Sequence, residues 1–136
     1  MGFVYTNVTI HGQKTSRLIK MLVDTGSTYI VLNQKTIEEL KLWQTPYKVN
    51  LTLADKRSVE AKLFLGEVEV GQRKGPAFIA ELDTPTSLIG VYALETLGYK
   101  INPKTGNLEE IAPEGGFLLA TAGVDNHVVM PMFVQW

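Results

Sequence analysis

The segment from Leu18 to Leu32, LIKMLVDTGSTYIVL, constrains the chain more than any other. Two apolar runs rich in β-branched and large side chains flank a single polar turn, Asp24-Thr25-Gly26-Ser27, and that pattern predicts strand, tight loop, strand. A carboxylate is thereby delivered to a loop tip, with the hydroxyls of Thr25 and Ser27 on either side of a glycine. Gly26 can take backbone angles closed to other residues and has no side chain, which lets a second backbone or a ligand come close.

MLVDTGSTYIVL resembles the catalytic loop of the retropepsin-like aspartic proteases, in which two apolar residues precede Asp-Thr-Gly and an alcohol or alanine follows. Ser87-Leu88-Ile89-Gly90 and the following VYALETLGYKIN are similar to the apolar-apolar-Gly and short helix that close the same fold. The separation of Asp24 from Gly90 suits one retropepsin subunit with a hairpin flap between them. The resemblance runs from about residue 4 to about residue 111, and the two motifs together are fairly specific. It implies a mainly β fold: a closed or partly open acid-protease β-barrel with one or two short helices, acting as a homodimer. A single domain is expected over 1–136, with an apolar C-terminal extension at 112–136.

Composition bears on what else the chain can do. At 136 residues it is long enough for one domain that buries roughly two-thirds of its unfolded surface. Hydrophobic residues make up 45%, charged residues 20%, and the formal net charge is -1, which disfavours nucleic acid as a partner and gives no sign of a disordered chain. Cysteine is absent, so disulfides and thiolate metal sites are excluded, and a reducing compartment is suited. With no leader-like start and no apolar stretch of spanning length, the expectation is a soluble, cytoplasmic protein without membrane contact. Met1-Gly2 formally fits a myristoylation signal, and Asn7-Val8-Thr9 and Asn50-Leu51-Thr52 fit glycosylation acceptors. All three read better as strand residues.

Along the chain, residues 3–10 alternate in polarity and lead through His11-Gly12-Gln13 into the Leu18 strand, an opening hairpin in which His11 reads as a solvated turn residue. Asn33 is placed to cap a helix over QKTIEELKL, with Ile37, Leu40 and Leu42 toward one face. Tyr47 to Val70 reads as a long hairpin with a charged tip, Ala54-Asp55-Lys56-Arg57. Gly71 to Pro76 punctuates two further strands, Leu65 to Val70 and Ala77 to Glu81. Tyr92 to Leu97 is a short helix stopped by Gly98, and Tyr99 to Ile111 forms a last hairpin. The tail beyond Pro113 is too apolar for a linker, and Asp125 with His127 makes a turn rather than a metal site.

The resemblance also implies roles. Asp24 from each of two copies forms the catalytic pair, since Asp83-Thr84 is followed by proline and supplies no second loop. Thr25 would brace the two loops across the dimer, Gly26 would donate its amide, and Ser27 would donate to the outer carboxylate oxygen, pulling the pair's titration downward. The charged hairpin would be the flap, with Leu53, Ala54, Asp55, Lys56 and, from the second motif, Ile89 touching substrate. The tip lacks the glycines common in viral flaps. Val91 replaces the arginine that viral members carry after the second-motif glycine, and Thr28 and Tyr29 stand where its acidic partner would be. The tail would join the dimer interface or plug a groove. No metal or organic cofactor is required. The function implied is an aspartic endopeptidase cleaving peptides or proteins. The alternatives are a silent dimer of the same fold that binds peptides or a protein partner, and a β-rich core in which Asp24 merely caps a turn.

Overall fold

A computed structural model describes residues 3–53 and 55–111 of the chain. They fall into two compact units, divided after Leu97.

The first unit is built from β1 (Tyr5–His11), β2 (Ser16–Asp24), β3 (Ile30–Leu32), α1 (Gln34–Leu40), β4 (Trp43–Thr52), β5 (Ser58–Val70), β6 (Arg73–Glu81), β7 (Leu88–Gly90) and α2 (Val91–Thr96). Its seven strands lie in the order β1-β2-β7-β3-β6-β5-β4, and β1 also pairs with β5, so six of them close a ring and β4 rides outside on β5. Closure removes the open edges that an isolated sheet leaves unpaired. The mainly β barrel with short helices matches the fold implied by the two motifs.

Alternation decides which side chains fill the barrel. Val8 and Ile10 from β1, Met21 and Val23 from β2, Ile30 and Leu32 from β3, Ile79 from β6 and Ile89 from β7 are all buried. Val31 points the other way and, with Ala61 and Ala80, forms the floor of a second apolar cluster, against which Tyr29, Val49, Leu51, Leu82 and Leu88 are half-buried. This cluster joins the arm of the β4–β5 hairpin to the segment just after Asp24.

The opening hairpin, the Asn33 cap and the second-motif helix form as the sequence indicates, but His11 is not a solvated turn residue: it is the last residue of β1, half-buried, and its Nε2 meets Glu69 Oε1 at 2.8 Å. Asn33 Oδ1 accepts the Thr36 amide at 2.9 Å, and Lys41 ends α1 in the left-handed region at φ 53. Both glycosylation-like triplets lie in strands, β1 and β4. The turn expected over Gly71 to Pro76 is shorter, because β6 already starts at Arg73 and includes Gly75 and Pro76. Proline fits there because β3 covers β6 only from Ile79 to Glu81, which leaves one side of β6 an edge at Pro76, where no amide is needed.

Between Gln44 and Lys48 the β4–β5 register slips, and Thr45 stitches the irregularity by donating from Oγ1 to the Leu63 carbonyl at 2.8 Å.

The second unit, over its described residues, is the hairpin of β8 (Tyr99–Ile101) and β9 (Leu108–Glu110). The expectations for the apolar tail at 112–136, for Asp125 and His127, for Met1-Gly2 and for Ala54 lie outside the described residues.

Candidate active site

Asp24 is the last residue of β2. That strand runs parallel to β7 in the register Leu22 with Leu88, Val23 with Ile89 and Asp24 with Gly90, while β3 flanks β7 antiparallel from the other side. The two sequence motifs are therefore one structure: the second threads between the arms of the first. The chain leaves β2 at Asp24, turns through Thr25 to Tyr29, and returns as β3 on the far side of β7.

Four hydrogen bonds shape the turn. Gly26 N donates to Asp24 Oδ1 at 2.9 Å, and Ser27 N donates to the Asp24 carbonyl at 3.1 Å. Gly90 N donates to the Tyr29 carbonyl at 3.1 Å, and Ser27 Oγ donates to that same carbonyl at 3.0 Å. Among the described residues no donor meets Asp24 Oδ2. Thr25 and Gly26 are exposed and Asp24 is half-buried.

The two glycines of the motifs do different work. A Cβ at Gly90 would collide with the Ser27 carbonyl oxygen and come within 2.9 Å of the Thr28 carbonyl carbon, so the loop can rest on β7 only if this residue has no side chain. At Gly26 a Cβ would meet nothing closer than Asp24 Oδ1 at 3.5 Å, an ordinary contact, and Gly26 is not among the glycines with positive φ. Gly26 does not use the left-handed angles open to glycine, and no neighbour among the described residues requires its small size.

Two further expectations are corrected. The hydroxyl of Ser27, expected at the outer carboxylate oxygen, donates instead to the Tyr29 carbonyl two residues on. Ile89 was placed against substrate, but its side chain is fully buried, because alternation along β7 turns it into the barrel and leaves Leu88 half-exposed on the other face. Leu88 packs there with Tyr29, Val49, Leu51 and Leu82 on the second apolar cluster. The alternating apolar residues of β4 gave the signal, but not what they cover.

The charged hairpin tip is a tight turn. Leu53 N donates to the Arg57 carbonyl and Lys56 N to the Leu53 carbonyl, both at 2.8 Å, and Lys56 takes φ 70. Asp55 accepts the Arg57 amide at 3.1 Å and the Arg57 guanidinium at 2.7 Å. Among the described residues no hydrogen bond ties Leu53, Asp55 or Lys56 to the Asp24 loop. The hairpin reaches the loop through its arm, where Val49 and Leu51 share a cluster with Tyr29. Burial pushes the Tyr29 phenol above its usual 10.0, and Tyr92, on α2, likewise.

A surface hollow of about 600 Å³ between Ser16, Arg17, Asn33, Lys35 and Glu39 includes none of these residues. Among the described residues no cluster of His, Asp and Glu is suited to a metal ion, and no helix is long and apolar enough to cross a membrane.

Residues 6–96 match the family described as "gag-polyprotein putative aspartyl protease". Among solved structures, the chain is similar to EIAV protease complexed with the inhibitor HBY-793: 21% identity, a TM-score of 0.59, and coverage of 74% of this chain and 93% of that one. That likeness shows a shared fold. No curated protein matches the chain.

Proposed function

The chain belongs to the gag-polyprotein aspartyl protease family, and from that premise we propose that it is an aspartic endopeptidase whose active site is assembled from two copies of itself. The observation that carries this reading is the half-satisfied carboxylate: Asp24 is fixed through one oxygen by the Gly26 amide while the other meets no donor among the described residues. Gly26, small without need inside its own chain, supports a close approach by a second loop.

Hydrolysis of an amide needs a nucleophilic water, a base to take its proton, and an acid to protonate what departs. Two carboxylates about 3 Å apart share one proton, because like charges at that distance do not both ionise. In the pair, the ionised Asp24 removes a proton from water as its oxygen attacks the peptide carbonyl, and the protonated Asp24 gives its proton to the carbonyl oxygen. Collapse of the tetrahedral adduct then sends a proton to the amine nitrogen as the C–N bond breaks. The rate is consequently bell-shaped in pH, since full protonation removes the base and full ionisation removes the acid. Thr25, exposed and without a partner among the described residues, is free to brace the second loop. Leu53 and the tip residues Asp55 and Lys56 would close over a peptide or protein substrate, and the apolar cluster around Tyr29 and Leu88 would offer it a wall.

A dilution series tests the assembly. Specific peptidase activity, inhibited by pepstatin, is expected to fall as the protein passes below its dimer dissociation constant. Activity per chain that stays constant through a demonstrated dimer-to-monomer transition overturns the two-copy site.

A further inference from the structure

Ser27 rests on β7 by close contact with Gly90 and is tied to it indirectly through Tyr29. Its carbonyl sits against Gly90 so closely that no side chain fits there, and its hydroxyl meets the Tyr29 carbonyl, which also takes the Gly90 amide. Gly90 is in turn the register partner of Asp24. One short stretch of β7 therefore aligns the start of the turn, seats its middle and receives its end.

A hydroxyl has one proton to donate. While Ser27 Oγ donates it to Tyr29 at 3.0 Å, it has none for the Asp24 carboxylate, whose bound oxygen is served by the Gly26 amide instead. We propose that Ser27 is a positioning residue: it holds the Asp24 loop on β7 through the Tyr29 carbonyl and does not act on the proton of the Asp24 carboxyl. Its catalytic consequence rests on the protease reading above, and its structural consequence does not. Without the hydroxyl, the Tyr29 carbonyl loses one of the donors that tie it to the turn, and the loop that aims Asp24 at its counterpart loosens. Loss of aim is felt in turnover more than in substrate binding.

The test compares wild type, Ser27→Ala and Ser27→Thr in the full chain. Two readouts need no turnover: hydrogen exchange of the Gly90 amide, and the titration of the Asp24 carboxyl followed by its 13C shift. Gly90 exchange is expected to quicken about three- to tenfold in Ser27→Ala and to be restored in Ser27→Thr, the scale of one hydrogen bond. The Asp24 titration curves of wild type and Ser27→Ala should superimpose. On a peptide substrate, kcat should fall by a similar factor while KM and both limbs of the pH profile stay in place. A titration curve or alkaline limb displaced by about 0.5 in pH or more would assign Ser27 to the carboxylate and overturn the proposal. Unchanged Gly90 exchange overturns it equally. Ser27→Cys, whose thiol is a weak donor of similar size, serves if the alanine variant does not fold. A wild type without turnover on any peptide would sink the protease reading, and the exchange and titration readouts would still decide the role of Ser27.

Discussion

The Asp24 loop and the tip of the β4–β5 hairpin both start from an aspartate that accepts the amide two residues on, Gly26 N at 2.9 Å in one and Arg57 N at 3.1 Å in the other. They finish differently. At the tip, the second oxygen of Asp55 is taken by the Arg57 guanidinium at 2.7 Å, so the carboxylate is paired inside its own turn. In the Asp24 loop residue 26 is a glycine, which brings an amide and no cation, and the second oxygen is left over. Local turn chemistry builds both shapes. Only the one that leaves a carboxylate oxygen uncommitted can offer it to a reaction.

Asparagine at the two positions should separate them most widely. Asp24→Asn keeps the turn's acceptor and is expected to cut kcat/KM by about a thousandfold or more, because the base and the shared proton go together. Asp55→Asn should leave kcat/KM within about tenfold, chiefly through KM. Steady-state kinetics on one peptide decides it, and equal losses would erase the distinction.

The supports of the two turns differ as well, since one rests on β7 and the other only on itself. Gly90→Ala forces the loop off its seat and is expected to cost about 3 kcal/mol in urea unfolding. Gly26→Ala should change unfolding of the monomer by less than about 0.5 kcal/mol and should weaken self-association in sedimentation. A Gly26→Ala monomer as unstable as Gly90→Ala would mean that the glycine serves its own chain after all.

At the tip the effects are smaller. Lys56 holds φ 70, a region that costs a residue with a Cβ roughly 1 kcal/mol, so Lys56→Gly is expected to stabilise the tip turn by a fraction of that, read as slower exchange of its amides. Arg57→Ala should cost less than about 0.5 kcal/mol and should do so only at low salt, because both partners of its ion pair are more than half exposed.

The parts of this molecule legible in its sequence are those set by neighbours along the chain. Alternation marked the strands around Asp24, Asn33 announced its helix, and the apolar-apolar-Gly run at Gly90 marked the second motif. The acceptor of the Ser27 hydroxyl was not legible, since both the Tyr29 carbonyl two residues on and the Asp24 carboxylate are local acceptors and the sequence does not choose between them. The same holds for Ile89 and Leu88: periodicity says that they face opposite ways, but only the assembled sheet decides which face is inside. Pro76 read as a turn signal because the sequence does not reveal that β3 stops short of it.

The register of Asp24 with Gly90 has a consequence for the order in which the protein is made. Ribosomes release chains from the amino end, so the aspartate loop emerges long before the strand that seats it, and the joining of β2 to β7 is a long-range closure that must wait for nearly the whole first unit. Until residue 90 is available, Asp24 lies in a turn with no floor. A nascent chain of this protein therefore carries the Asp24 motif without its geometry until the barrel is shut.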